Sequence, residues 1–293
     1  MGKIGPSAVE FADRIFRENI PYSGSIELTH RCNLACRHCY QVAPREGELD
    51  AARWIEVLGD LASCGCLFLA FTGGEPLLRD DLPRLVDVAA GMGYALTIQT
   101  NATLVDASFA RMLGSFPTLR ADVSVYGANP STHDRLTGVA GSFEAALRGM
   151  RLLRESGVPL LLKVTVGDFN LDEVEDIVRL AGELGARAIF SSLIFPRNDR
   201  DPSPTALRLD DEGLERFARF ESRYVLDILG ELLGGEAKDL TGEDLIRYLN
   251  KCAVEADPAR SGKRQYCGGG RTVFAINPYG DVYPCVAFPL VVG

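Results

Sequence analysis

Long hydrophobic runs are missing from this sequence of 293 residues. The longest apolar stretches, residues 159–162 and 287–292, are far shorter than the roughly 18 residues that a membrane-spanning helix needs. The N-terminus mixes charges of both signs and lacks the apolar stretch of a secretory signal peptide. With 46% hydrophobic residues, the chain can still build a sizeable core. These features predict a globular cytoplasmic protein with no membrane partner.

The sequence also lacks an excess of positive charge. It contains 40 Asp and Glu residues against 31 Lys and Arg residues, so its formal net charge is −9. Proteins bind nucleic acids mainly through contacts between basic residues and phosphates. We therefore expect no nucleic-acid partner.

Eight cysteines are present, and they are expected to be reduced thiols because no secretion signal accompanies them. Clustered thiols in such a chain are typically metal ligands or catalytic groups. Cys32, Cys36 and Cys39 lie within eight consecutive residues. Cys64 and Cys66 lie between a helical pattern and an apolar strand, and we interpret them as structural.

Short β-rich segments alternate with helical patterns, and this alternation is typical of parallel strands joined by right-handed crossover helices. The segments FLAF and LLLKVTV are apolar enough to be covered on both faces of a sheet. Asp50 and Asp172 precede helical patterns and are predicted to cap them. The fold class is therefore α/β, either an open barrel or a doubly wound sheet. The six predicted strands are residues 24–29, 67–72, 95–100, 121–126, 160–166 and 187–194.

Composition divides the chain further. Three prolines interrupt residues 196–204, and a helical pattern follows at about 211–233. We predict an N-terminal segment, a core, a linker with helices, and a C-terminal extension, at residues 1–23, 24–195, 196–251 and 252–293.

The strongest chemical signal is the sequence CNLACRHC, residues 32–39, which directly follows the first predicted strand. Loops at the carboxyl ends of strands build the active site of β/α barrels. Three soft thiolates suit an iron–sulfur cluster, or a zinc ion with a fourth ligand such as His30 or His38. A cluster of four irons would keep one iron without a protein ligand, and that iron could bind a small molecule.

The second signal is the sequence FTGGEP, residues 71–76, at the end of the second predicted strand. Gly73 and Gly74 free the backbone for an unusual turn, Glu75 adds a carboxylate, and Pro76 fixes the exit of the chain. Beside a cysteine loop on the neighbouring strand, this turn is predicted to hold an ammonium group.

Together, the two segments resemble the radical S-adenosylmethionine (radical SAM) superfamily, whose C-x-x-x-C-x-aromatic-C loop binds a [4Fe–4S] cluster and whose GGEP motif contacts the methionine amino group. His38 occupies the aromatic position. The resemblance covers about residues 24–195 and implies a partial (β/α)6 TIM-like barrel. It implies that Cys32, Cys36 and Cys39 bind the cluster and that S-adenosylmethionine (SAM) is the second cofactor.

The same resemblance implies an activity: reductive cleavage of SAM to a 5′-deoxyadenosyl radical, which abstracts hydrogen from a substrate. A reductant such as ferredoxin or flavodoxin is then a partner. The resemblance also implies SAM contacts for Asn101, Ser124, Ser192 and Leu193, the last two near the adenine. Asn101 has a simpler alternative role in a turn. Many relatives carry an arginine a few residues after a His-Asp pair, where this chain has Thr137. No catalytic acid or base is identified.

The C-terminal sequence TVFAINPYGDVYPC, residues 272–285, is typical of a β-hairpin with its turn at 277–281. It resembles the opening of a SPASM or twitch extension, in which such a hairpin carries two cysteine ligands of an auxiliary iron–sulfur cluster. Cys267 and Cys285 are the candidates, with Cys252 as a third. Because only eight residues follow Cys285, we expect a truncated extension whose auxiliary cluster is weakly bound or absent.

Three functions stay open on the sequence alone. The first is a radical SAM enzyme of the SPASM or twitch group that modifies a peptide or protein. The second applies the same chemistry to a small cofactor precursor, such as a haem precursor. The third, from another class, is a non-catalytic metal-binding scaffold, which the GGEP turn disfavours.

Overall fold

An eight-stranded sheet dominates the computed structural model, which describes residues 11, 14–233, 268–288 and 290–293. Its first six strands are parallel to one another, in the sequential order that right-handed crossovers produce. The predicted α/β class is confirmed, and the sheet does not close, as expected for a partial barrel. The strands are β1 (Ser23–Thr29), β2 (Phe68–Gly73), β3 (Ala95–Thr100), β4 (Leu119–Ser124), β5 (Leu160–Thr165) and β6 (Arg187–Ser191).

Helices connect these strands. Short 3-10 turns at Pro76–Leu78, Leu171–Glu173 and Ser203–Leu207 complete the connections. The helices between β1 and β6 are α1 (Ala51–Ser63), α2 (Leu82–Gly91), α3 (Ala107–Gly114), α4 (Pro130–Thr137), α5 (Ser142–Glu155) and α6 (Val174–Glu183), and α7 (Asp211–Leu233) follows β6.

The strands present two faces, because successive side chains of a strand point to opposite sides. In β3, Leu96 and Ile98 are buried, whereas Thr97 and Gln99 between and beside them are only half-buried. The buried face forms the apolar core together with helix residues such as Leu58 of α1 and Leu85 of α2. The other face is free to line a cavity.

Short polar side chains begin several helices. Asp50 accepts a hydrogen bond from the Arg53 amide at 2.9 Å, as predicted for a cap of α1. The predicted cap at Asp172 is wrong. This residue lies inside the 3-10 turn Leu171–Glu173, and α6 begins after Glu173 without a side-chain cap.

The C-terminal hairpin is built onto the barrel sheet. Strand β7 (Val273–Ile276) pairs in parallel with β1, and β8 (Val282–Tyr283) pairs antiparallel with β7. The hairpin turn also holds the segment that follows the cysteine loop, since the Leu49 amide donates to the Pro278 carbonyl at 2.7 Å. The Tyr279 ring lies 4.0 Å beneath the Arg45 guanidinium. The hairpin thus supports the loop between β1 and α1.

The chain forms two compact units. Residues 20–209 and 269–293 make up one of them, so the hairpin shares a unit with the barrel strands; residues 1–19 and 210–268 make up the other. The four segment boundaries proposed from composition stay predictions. In the described part of the chain, none of the helices has the length and apolar character needed to cross a membrane.

Asn277 organises the hairpin turn, and its replacement by alanine is our first prediction. Its side-chain oxygen accepts from the amides of Tyr279 and Asp281, both at 3.0 Å, and its side-chain nitrogen donates to the Asp281 carboxylate and the Tyr283 hydroxyl. Because the residue is buried, Asn277→Ala leaves several polar groups without a hydrogen-bond partner. This variant should lower the free energy of unfolding, measured in urea, by about 2–3 kcal/mol.

A graded variant serves as the control for this prediction. Tyr283→Phe removes only one of the four hydrogen bonds, at 2.7 Å, and should cost about 1 kcal/mol. Equal losses for the two variants would contradict the central role of Asn277.

Candidate active site

One cavity of about 640 Å³ opens at the carboxyl ends of the strands, and all three clustered cysteines line it. Cys32, Cys36 and Cys39 lie on the loop after β1. Burial raises the pKa of each thiol, and the charges of Cys39 and Cys32 raise the pKa of Cys36 further. These effects agree with three thiols that line one cavity. Binding of a metal group would release their protons.

The three thiols suit a cluster better than a single ion. In the described part of the chain, no three His, Cys, Asp or Glu side chains converge on a position for one metal ion, as the zinc alternative requires. In a four-iron cluster, each thiolate binds a different iron. The three sulfur atoms must therefore lie in one cavity, but they need not all reach one metal position. The donor set therefore fits the [4Fe–4S] cluster that the sequence motif implies.

The two histidines proposed as zinc ligands have other surroundings. His30 Nε2 lies 3.4 Å from the buried Glu27 carboxylate, and its ring packs edge-on against Tyr279. The His38 ring packs edge-on against Tyr126 with 4.5 Å between ring centroids. Burial lowers the pKa of His38 to about 4, so this imidazole is neutral at pH 7.

The glycine turn after β2 is bonded to the start of the cysteine loop. The Gly74 amide donates to the Thr29 carbonyl at 2.6 Å, and the Glu75 amide donates to the Arg31 carbonyl at 2.8 Å. Gly73 has φ +133°, a conformation that favours glycine, and a Cβ atom there would lie 2.2 Å from the Thr29 oxygen. Both glycines line the cavity, so their backbone is available to a ligand.

Glu75 does not itself line the cavity. Its carboxylate accepts hydrogen bonds from the Thr100 hydroxyl at 2.7 Å, the Asn101 amide at 2.8 Å and the Leu77 amide at 3.1 Å. The residue is fully buried and, like Pro76, is absent from the cavity lining. It therefore ties the end of β2 to the end of β3. A direct contact of Glu75 or Pro76 with SAM stays a prediction.

Burial raises the pKa of Glu75 from its ordinary 4.5 to about 7, which gives our second prediction. Below pH 4.5, Glu75 is protonated in both the folded and the unfolded chain, and its contribution to the free energy of unfolding is complete. Between pH 4.5 and about 7 only the unfolded chain ionises, so this contribution is lost as the pH rises. Urea unfolding of the apoprotein should show a loss on the order of 3 kcal/mol across this range. In the Glu75→Gln protein, the free energy of unfolding should depend much less on pH across this range.

The control for this titration is Glu155→Gln, which removes an exposed carboxyl at the end of α5. It should reproduce the parent's pH dependence. An unchanged dependence in Glu75→Gln would contradict the assignment, whatever that variant's stability at a single pH.

The remaining predicted SAM contacts divide into two groups. Asn101, Ser124 and Leu193 line the cavity, whereas Ser192 does not. Asn101 also donates to the Asn33 side chain of the cysteine loop at 2.9 Å, so it links β3 to that loop. Their roles toward SAM stay predictions.

Thr137 lies outside the cavity. It is buried, and its hydroxyl lies 2.7 Å from the Ser142 hydroxyl. Thr137 therefore does not replace, in the cavity, the arginine that the resemblance leads one to expect near this place.

Of the cysteines outside the loop that the structure describes, Cys64, Cys66 and Cys285, none lines the cavity. Cys285 is half-buried at the end of the hairpin, and Cys252 and Cys267 lie outside the described residues. The auxiliary cluster therefore stays a prediction. Cys64 is exposed, whereas Cys66 is buried and donates to the Phe68 carbonyl at 3.7 Å.

Sequence reasoning missed several polar residues of the cavity. For Lys163 and Thr165, the available signal was the period of two along β5, which places polar side chains on the inner face at alternate positions. The segment LLLKVTV was interpreted as covered on both faces, but two of its residues line the cavity. The missed lining residues are Lys163, Thr165 and Arg197.

Comparison with known proteins agrees with this geometry. The sequence profile of the Radical SAM superfamily matches residues 26–181. The AdoMet-dependent heme synthase of Oleidesulfovibrio alaskensis is 34% identical over 173 residues, which are 58% of this chain and 45% of that protein. The subtilosin biosynthesis protein AlbA of Bacillus subtilis is 27% identical over 96% of this chain and 60% of its own length.

A solved structure shares the fold. The structure of Streptococcus suis SuiB bound to its precursor peptide SuiA superposes with a TM-score of 0.67 and 17% identity, covering 96% of this chain and 64% of SuiB. This chain spans less than two thirds of the length of each of the three proteins.

Proposed function

The chain belongs to the radical SAM superfamily, and from that premise we propose that it cleaves SAM reductively and abstracts hydrogen from a peptide or protein substrate. Its cofactors are a [4Fe–4S] cluster and SAM. The observation that carries the proposal is the shared cavity, in which three thiols stand beside the backbone of Gly73 and Gly74. Because the members of this superfamily are iron–sulfur enzymes, we do not retain the hypothesis of a non-catalytic scaffold.

The residues of the cavity have separable tasks. Cys32, Cys36 and Cys39 would hold the cluster, and the backbone of Gly73 and Gly74 would face the methionine end of SAM. When bound, the two cofactors supply one-electron cleavage of SAM and a 5′-deoxyadenosyl radical that takes a hydrogen atom from the substrate.

The surrounding residues orient these groups and exclude water. The buried carboxylate of Glu75 fixes the glycine turn through Thr100 and Asn101. Behind the cysteine loop, the Glu27 carboxylate accepts from the Gln41 side chain at 2.5 Å and from the Tyr40 hydroxyl at 3.3 Å. Such hydrogen bonds hold the loop in one arrangement before cofactors bind.

A peptide substrate is supported by the match to AlbA, a bacteriocin biosynthesis protein, which extends over nearly the whole chain. A small cofactor precursor is the second candidate, because heme synthase matches are equally prominent: one is 34% identical over 58% of this chain, and that of Methanosarcina barkeri is 29% identical over 94% of it. A ferredoxin or flavodoxin is proposed as the reductant in either case.

The proposal is tested by anaerobic reconstitution of the full chain with iron and sulfide, followed by reduction with dithionite in the presence of SAM. We expect a brown protein that forms 5′-deoxyadenosine, quantified by mass spectrometry, even without substrate. A reconstituted protein that holds four irons and produces no 5′-deoxyadenosine under these conditions would contradict the proposed function.

A further inference from the structure

The charged residues of the cavity lining have one sign. Among the described residues, Lys163 and Arg197 line the cavity, and no Asp or Glu does. The protein as a whole carries a net charge of −9, so this lining differs from the average of the chain. Apart from the three thiols that would hold the cluster, the charged groups of the lining are thus cationic, and such groups attract anionic ligands.

The two cations face different parts of the site. Arg197 lies near the cysteine loop, where its charge lowers the pKa of Cys39, and it pairs with Asp199 at 3.6 Å. Lys163 lies on the inner face of β5, two residues before the strand ends at Thr165, and is in register with Ser124 of β4. Lys163 is therefore deeper in the barrel than the loops that carry the thiols and the glycine turn.

The acidic neighbour of Lys163 is already paired. Asp122 is buried, and its carboxylate accepts a hydrogen bond from Arg120 Nε at 3.0 Å. The three side chains carry two positive charges and one negative charge, and all three influence one another electrostatically. Among the described residues, Asp122 pairs with the largely exposed Arg120, and none of the ion pairs involves Lys163, so its ammonium is available to a ligand anion.

The residue type is also unusual at this place. Lys163 is the only lysine between residues 4 and 237, where the other basic residues are arginines or histidines. An ammonium group on a flexible stem donates three hydrogen bonds in adjustable directions, whereas a guanidinium presents a rigid fork. This difference suits recognition of one anionic group inside a narrow space.

We propose that Lys163 binds a carboxylate of the substrate inside the barrel, so the substrate is a carboxylate-bearing molecule. The proposal rests on the proposed function and specifies its substrate class. Two sources share this chemistry: the acidic side chain of a peptide and the propionate of a tetrapyrrole. The methionine carboxylate of SAM is the competing anion, because Lys163 is in register with Ser124, a predicted SAM contact, and the experiment below separates the two.

The test measures equilibrium binding to the full chain, reconstituted and supplied with SAM but not reduced. One probe pair is a tetrapropionate porphyrin and its tetramethyl ester. The other pair is the end-blocked peptide Gly-Gly-Glu-Gly-Gly and its counterpart with Gln in place of Glu. In at least one pair, the parent should bind the acid about ten-fold or more tightly than the neutral partner. That pair identifies the source of the carboxylate.

Variants test whether Lys163 causes the preference for the acid over its neutral partner. Lys163→Met should abolish it, and Lys163→Arg should retain most of it. The control Arg84→Met removes one positive charge from an exposed position of α2 and should keep the parent's preference.

Three results would overturn the proposal. One is a parent without preference in either pair, and a second is a preference that survives in Lys163→Met. The third is a Lys163→Met protein whose affinity for SAM, measured without any probe, falls ten-fold, which assigns the lysine to the cofactor. Failure of the proposed function is distinguishable, because it appears as a reduced parent that forms no 5′-deoxyadenosine.

Discussion

Cys36→Ala is expected to lose nearly all cluster iron and to cleave SAM at least about 100-fold more slowly than the parent. The Cys36 thiol is half-buried on the cavity wall, and the charges of both Cys39 and Cys32 act on it. Two remaining thiols leave a second iron without a protein ligand, and the affinity of the site falls accordingly. Iron and sulfide quantification after anaerobic reconstitution, together with 5′-deoxyadenosine formation, measures both effects.

Cys64→Ala is the matched control, because this thiol is exposed and does not line the cavity. It should keep the parent's iron content and activity. Equal iron loss in the two variants would indicate general damage to the protein, and full SAM cleavage by Cys36→Ala would contradict the assignment of the loop.

Gly74→Ala is expected to weaken SAM binding by at least about 100-fold and to destabilise the protein by a few kcal/mol. A Cβ atom at this position would lie 2.2 Å from the Arg31 carbonyl oxygen and 2.7 Å from its carbon. These are backbone atoms, so the turn and the cysteine loop must separate. The separation breaks the bonds that the Gly74 and Glu75 amides make to the loop. SAM titration of the reconstituted protein and urea unfolding measure the two effects.

Gly59→Ala makes the same chemical change inside α1, where a Cβ atom meets nothing within 4 Å. It should leave SAM binding unchanged and stabilise the protein by about 0.5–1 kcal/mol, the usual gain for a helix interior. SAM binding by Gly74→Ala that matches the binding by Gly59→Ala would contradict the close approach of the turn and the loop.

The barrel strands could be predicted because their signals are local. Each strand is a short apolar segment, and the six observed strands begin and end close to the predicted limits. The cap at Asp50 follows from the residue that precedes an apolar helical pattern. The parallel pairing of β7 with β1 could not be predicted in this way, because it joins segments about 250 residues apart. The sequence of the hairpin specifies its own turn, but it does not specify which strand of the barrel pairs with β7.

The sequence predicted several residues of the site, but not the directions of their side chains. The spacing of Cys32, Cys36 and Cys39 placed them on one loop, and they line one cavity. The direction of the Glu75 side chain depends on Thr100 and Asn101, which come about 25 residues later and approach only in the folded sheet. Lys163 was missed because the residues around it are apolar, so the segment was interpreted as buried on both faces.

The most direct measurement is the electron paramagnetic resonance spectrum of the reduced cluster with and without SAM. A variant with Cys252, Cys267 and Cys285 replaced by alanine removes the proposed auxiliary ligands and keeps the cysteines of the loop. After anaerobic reconstitution and reduction, we predict the signal of one [4Fe–4S] cluster, whose g values change when SAM is added. A cluster signal that saturating SAM does not alter, or the absence of any cluster in this variant, would contradict the central claim that the cavity binds both cofactors together.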